Sequence, residues 1–138
     1  MSRHIFLLFL LSISLHISSQ EKKEKPKKWD VNNPHENWRY NTFQLNTTEG
    51  TWMNLDVSPD GKTIVFDLLG DIYKMPISGG TTTILRSGLA YEVQPRFSPN
   101  GKYISFTSDA EGGNNIWVMT ADGKNAKSIT KEKYRLLN

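Results

Sequence analysis

Several places in this 138-residue chain carry side chains whose types and spacing could do chemistry. Asp109-Ala-Glu-Gly-Gly-Asn-Asn115 offers oxygen donors at near-alternating positions, the donor type that calcium takes. Calcium needs about six to eight oxygens and this loop supplies too few, so the glycine-rich segment reads as a connection between strands. Asp67 and Asp71 bracket Leu-Leu-Gly and could pass for paired catalytic carboxylates, but their spacing across a glycine suits a turn between strands. Ser78-Gly-Gly-Thr81 has the composition of a phosphate-cradling loop. Such loops open a helix whose N-terminus helps hold the anion, whereas the residues that follow here are strand formers. His35, alone in the chain beyond its N-terminal apolar run, reads as a surface or packing residue and not as a ligand.

The larger constellations are missing. A nucleophile elbow would read Gly-x-Ser-x-Gly ahead of a helix, and no such pentapeptide occurs. A metal site that activates water needs several histidines and a carboxylate, and there is no His-x-His and no carboxylate cluster at ligand spacing. No catalytic, cofactor-binding or metal-binding residue is therefore assigned in this chain. The absence of cysteine excludes disulfides and a lipid-modified N-terminal cysteine. Asn46-Thr-Thr48 is a glycosylation acceptor, which matters only in a host that modifies it.

The elements that would position these residues repeat. Asp56-Val-Ser-Pro-Asp-Gly-Lys-Thr-Ile-Val-Phe66 aligns with Arg96-Phe-Ser-Pro-Asn-Gly-Lys-Tyr-Ile-Ser-Phe106 at an offset of 40 residues. Asp71-Ile-Tyr-Lys-Met75 aligns with Asn115-Ile-Trp-Val-Met119 at an offset of 44, so the second copy has four extra residues in its middle loop. In Ser-Pro-Asp/Asn-Gly, proline presets φ, the Asx residue favours the next position and glycine accepts positive φ, which closes a tight hairpin. The flanking runs, Thr63 to Asp67 and Tyr103 to Ser108, are short and rich in β-branched and aromatic residues, hence strands. Third strands are predicted near Asp71 to Met75 and Asn115 to Thr120, and fourth strands near Thr81 to Leu85 and Ala126 to Thr130. Phe66 and Phe106 are expected to be buried, and Gly61 and Gly101 to take positive φ.

Ile64-Val65-Phe66 and Ile116-Trp117-Val118-Met119 are apolar on both faces, so both faces of each sheet must be covered. A four-stranded repeat of about 40 to 45 residues covered on both sides is the requirement of a propeller blade. The fold class expected is all-β, two four-stranded antiparallel blades of an incomplete β-propeller. Repeat 1 spans residues 51–90 and repeat 2 residues 91–134, with residues 135–138 a truncated end. Two blades cannot close a ring, and the chain reads as a fragment whose partners are the missing blades, with a further protein partner left open.

Ahead of the repeats, residues 1–19 read as a secretory signal peptide. Arg3 precedes the apolar run 5–17, which falls short of the roughly 20 residues needed to span a bilayer, and Ser18 and Ser19 offer a small-residue cleavage site. The expectation is export to the periplasm or medium, with no stable membrane span after cleavage. Residues 20–40 join a lysine-rich linker to an aromatic segment, Trp29 to Tyr40, expected to pack against a part that is missing. The tract 21–28 holds five lysines against two glutamates, while the chain from Trp29 onward carries 11 basic and 12 acidic residues. The overall charge of +3 therefore describes a solvated tract, the alternative being contact with an anionic surface, and no nucleic-acid partner is expected. Residues 41–50 contain a lone strand, Asn41 to Leu45, that could close a ring by pairing with the last blade.

The Ser-Pro-Asp-Gly-Lys-x-Ile-x-Phe pattern with its second strand pair resembles the WD-like repeats of TolB-like propellers. More finely, 48–61, 66–73 and 91–99 resemble the start of exported bacterial amidohydrolases that carry such a propeller before a metal-dependent hydrolase barrel. That resemblance implies a parent hydrolase, a C-terminal hydrolase domain, and a divalent metal such as zinc within it. It implies a scaffold or substrate-access role for the blades, with no cofactor in this segment. Two other classes carry the same repeats: TolB-like periplasmic binding propellers and the propellers of serine peptidases.

Overall fold

Each repeat closes on the same side-chain clamp. Gly61 N–H donates to the Ser58 carbonyl at 2.8 Å, the Ser58 hydroxyl donates to Asp60 Oδ1 at 2.6 Å, and Thr63 N–H donates to Ser58 Oγ at 2.9 Å. The second copy repeats these bonds with Ser98, Asn100, Gly101 and Tyr103. Gly61 and Gly101 sit at φ of 70° and 68°, the left-handed region where a β-carbon is penalised, as expected.

The computed structural model describes Val31, Asn41 and residues 44–132. The strands are β1 Leu55–Val57, β2 Thr63–Leu68, β3 Asp71–Pro76, β4 Thr83–Arg86, β5 Glu92–Phe97, β6 Tyr103–Ser108, β7 Asn115–Thr120 and β8 Lys127–Ser128. They form two four-stranded antiparallel sheets, β1-β2-β3-β4 and β5-β6-β7-β8. Among the described residues there is no helix. The extra residues of the second copy lie between β6 and β7, which six residues join where Leu69-Gly70 alone joins β2 to β3. Leu69 and Gly70 have φ of 56° and 86°, positive at both central positions, the type I′ geometry that matches strand twist.

Three local expectations shift. The fourth strand of the first sheet begins at Thr83 and ends at Arg86, because Gly79 and Gly80 at φ of 85° and 120° extend the preceding turn. In the second sheet β8 is only Lys127–Ser128; beyond it the Thr130 hydroxyl accepts the Ile116 N–H, replacing a backbone ladder bond with a side-chain bond. The strand expected over Asn41 to Leu45 is absent at Asn41, Gln44 and Leu45, and Leu45 is exposed. A strand needs a neighbouring edge, and none of the described strands pairs with these residues. The expected signal peptide, the lysine tract, His35 and the rest of the aromatic segment apart from Val31 lie outside the described residues, as do Thr42, Phe43 and the residues after Glu132.

The core lies between the sheets. Cross-strand partners share a face, so Val65 and Ile72 present one face of the first sheet and Ile104, Phe106, Trp117 and Met119 one face of the second. Val65, Ile72, Ile104, Phe106 and Met119 form a single buried cluster, flanked by Leu85, Phe97, Ala121 and Ala126. Phe106 is 2% exposed, and Phe66, at the equivalent position, is also buried.

Backbone and side-chain bonds lock the sheets together. Glu92 N–H donates to the Gly70 carbonyl at 2.9 Å, Phe97 N–H to Asp56 Oδ2 at 2.7 Å, and Arg96 to the Leu55 carbonyl at 3.0 Å. At one point the sheets touch so closely that only glycine fits. A β-carbon on Gly123 would lie 2.8 Å from the Leu85 carbonyl oxygen.

Candidate functional site

The three sequence candidates that fall within the described residues do not converge. Asp67 and Asp71 lie on opposite faces of the first sheet, because Asp67 pairs with Ile72 while Asp71 pairs with Leu68. Asp67 is 3% exposed and accepts three N–H bonds: from Asn54 N and Nδ2, each at 3.0 Å, and from Gln94 N at 2.7 Å. Gln94 has φ of 57° within the bulge between Val93 and Arg96. Asp67 is thus an anchor that ties the loop before β1 to the distorted first strand of the next sheet. Asp71 accepts from Gly88 N at 3.3 Å and from the Tyr73 hydroxyl at 3.4 Å. Burial first, then the Asp71 charge and hydrogen bond, raise the Tyr73 pKa.

The side chains of Asp109, Glu111 and Asn115 in the 109–115 loop are likewise committed. Asp109 Oδ1 accepts from Tyr91 N at 2.8 Å and Glu111 Oε2 from the Ser128 hydroxyl at 3.1 Å. Asn115, 2% exposed, accepts from the Thr130 hydroxyl and Glu132 N–H and donates to the Gly113 and Glu132 carbonyls. Among the described residues no group of three His, Cys, Asp or Glu side chains converges as a metal site would require. Ser78-Gly-Gly-Thr81 leads into β4, a strand, and its glycines serve the turn.

Three features were not read from the sequence. The bulge in β5 had a signal, Pro95, since proline inside a strand marks an edge or a bulge. The second feature had none. Arg86, at the end of β4, forms an ion pair of 2.8 Å with Glu92 of β5, and Glu92 is 2% exposed. Ser108 donates to the same carboxylate at 3.4 Å, and the Arg86 guanidinium lies over Phe106, 6.0 Å from the ring centre. This buried pair joins the sheets at the end opposite the Ser-Pro-Asx-Gly turns, and its members are satisfied by each other, as a buried charge must be.

The third feature is a cavity of about 720 Å³ at the turn end of the interface. Its walls are the two Ser-Pro-Asx-Gly turns, Lys74, Met75, Pro76 and Thr83 of the first sheet, and Phe97 and Ala121 of the second. The Ser58 hydroxyl and the Lys62 N–H lower the Asp60 pKa, so the one acid in the cavity wall is already satisfied by its own turn. Close by in the fold, the turn after β7 holds Asp122, whose pKa falls to about 2 chiefly through the Thr120 hydroxyl.

No protein-family model matches the chain. Among curated relatives, an uncharacterised protein of Agrobacterium fabrum is 37% identical over 81 residues, 56% of this chain and 28% of its own length. Dipeptidyl-peptidase 5 of Porphyromonas endodontalis is 33% identical over 73 residues, 44% of this chain and 11% of the peptidase. A TolB-type structure from Agrobacterium tumefaciens superposes with a TM-score of 0.56 at 32% identity, over 62% of this chain and 32% of that one. TolB from Acinetobacter baumannii gives 0.50 at 26% identity, over 63% of this chain and 23% of that one. The chain therefore spans less than a third of the relatives it matches. Together with the repeat and the two antiparallel sheets, these likenesses define the class: the sheets are blades of a TolB-like β-propeller.

Proposed function

We propose that the two blades belong to a ring-shaped propeller of an exported protein and act as a scaffold or screen for a hydrolytic site carried elsewhere in that protein. One observation carries the ring-forming part. Leu55, Phe66, Tyr73 and Ile84 form a row across the outer face of blade 1, and Leu55 and Ile84 are 56% and 58% exposed. Phe66 and Tyr73 stack there at 5.6 Å, as Phe106 and Trp117 stack at 6.3 Å on the face that blade 2 presses against blade 1. Blade 1 therefore presents the apolar face by which one blade docks on another, and a third blade fits it.

The finer reading, a metal-dependent amidohydrolase with a divalent cation such as zinc in a following domain, rests on the resemblance of 48–61, 66–73 and 91–99. A second reading is favoured by the relatives: a TolB-like binding propeller, or the propeller of a peptidase. Translating the gene's reading frame on both sides of this segment separates them. Further blades followed by His-x-His support the amidohydrolase, Gly-x-Ser-x-Gly the peptidase, and a propeller alone the binding protein. Export is supported by the apolar run 5–17, and mass spectrometry of the secreted or periplasmic product should find Gln20 at its N-terminus. An intact Met1 in a cytoplasmic product would overturn it.

A further inference from the structure

We propose that the cavity between the two Ser-Pro-Asx-Gly turns is a docking groove for a short acidic peptide segment, with Lys74 and Lys62 receiving its carboxylate. Lys74 lies in the cross-strand row Asp56, Val65, Lys74, Thr83, on the face that blade 1 turns toward blade 2. At the equivalent position 44 residues on, blade 2 carries Val118. An apolar residue thus suits this row, and a half-buried lysine in its place needs an electrostatic reason. Among the described residues neither Lys74 nor Lys62 forms an ion pair. Asp60, the one carboxylate in the walls, is already held by Ser58 and by the Lys62 backbone.

The groove therefore joins two lysines, only one of them offset by the Asp60 carboxylate, to apolar walls made by Pro59, Pro99 and Phe97. A volume of about 720 Å³ lies within the range of small-ligand sites and takes a few residues of peptide. The complementary occupant is an acidic side chain flanked by apolar ones. The groove sits between two blades that are both present, so it persists whatever covers their outer faces and does not depend on which hydrolase or binding protein the ring serves.

Titration of the full protein with acetyl-Leu-Asp-Leu-amide, acetyl-Leu-Asn-Leu-amide and inorganic phosphate tests it. The aspartyl peptide should bind at least tenfold more tightly than the asparaginyl one, with amide shifts confined to the two turns, β3 and Phe97. Lys74→Met, which gives blade 1 an apolar side chain where blade 2 has Val118, should erase that preference while leaving the circular dichroism spectrum unchanged. Should this variant unfold, Lys62→Gln at an exposed turn position should still reduce the preference severalfold. Equal affinity for the two peptides, shifts centred elsewhere, or phosphate binding as tightly as the aspartyl peptide would each overturn the proposal.

Discussion

Asp67 shows how a residue that looks catalytic in sequence becomes structural in place. A carboxylate with three N–H donors and 3% exposure is committed to the fold, and its removal leaves three part-buried donors without their acceptor. Asp67→Ala should cost about 2 to 4 kcal/mol, read as a lower urea midpoint, since a fully buried orphan costs about 1 to 3 kcal/mol and these three part-buried donors recover some of that by turning to water. An unchanged midpoint would show that Gln94 and Asn54 do not depend on it. Asp122 makes a prediction in acid. Its pKa of about 2 lies below that of an unfolded carboxylate, so its bond to Thr120 stabilises the turn above roughly pH 4. That contribution fades as pH falls toward 2. Carbon-detected NMR titration should place the midpoint near 2, and Thr120→Val should raise it toward 3.8; a midpoint indifferent to the substitution refutes the hydroxyl as cause.

At the scale of elements, the hairpin turns were legible because their chemistry is local. Ser-Pro-Asx-Gly encodes its clamp in consecutive residues, so both hairpins and both positive-φ glycines could be read directly. The ion pair of Arg86 with Glu92 and the charge-bearing groove were not legible, because each arises where one blade meets the next and sequence spacing carries no sign of it. Gly79 and Gly123 make the same distinction testable. They occupy equivalent turns 44 residues apart at φ of 85° and 86°, yet a β-carbon on Gly79 meets nothing within 4 Å, while one on Gly123 would strike Leu85 of the other blade. Gly79→Ala should cost about 1 to 2 kcal/mol, the left-handed penalty alone. Gly123→Ala should cost roughly 1 to 3 kcal/mol more through displacement of the blade interface. Equal urea midpoints for the two variants would mean that the blades can shift apart freely.

At the scale of the whole molecule, the question is what lies against the outer face of blade 1. Phe106 is enclosed by its own blade and by Val65 and Ile72 of the neighbour, so Phe106→Ala should cost about 3 to 5 kcal/mol wherever the two blades are packed. Phe66 holds the equivalent position, but its face carries exposed Leu55 and Ile84 where Phe106 meets another blade. If a third blade covers that face in the full protein, Phe66→Ala should match Phe106→Ala within about 1 kcal/mol, because the two sites would have equivalent enclosures. If no blade covers it, Phe66 keeps its stack on Tyr73 and its present burial but lacks the cross-blade neighbours that enclose Phe106, and the cost should be smaller than that of Phe106→Ala by more than about 1 kcal/mol. Hydrogen exchange reads the same point without substitution. The amides of β2 and β3 should be as protected as those of β6 and β7 in a closed ring, and markedly less protected where blade 1 is an end.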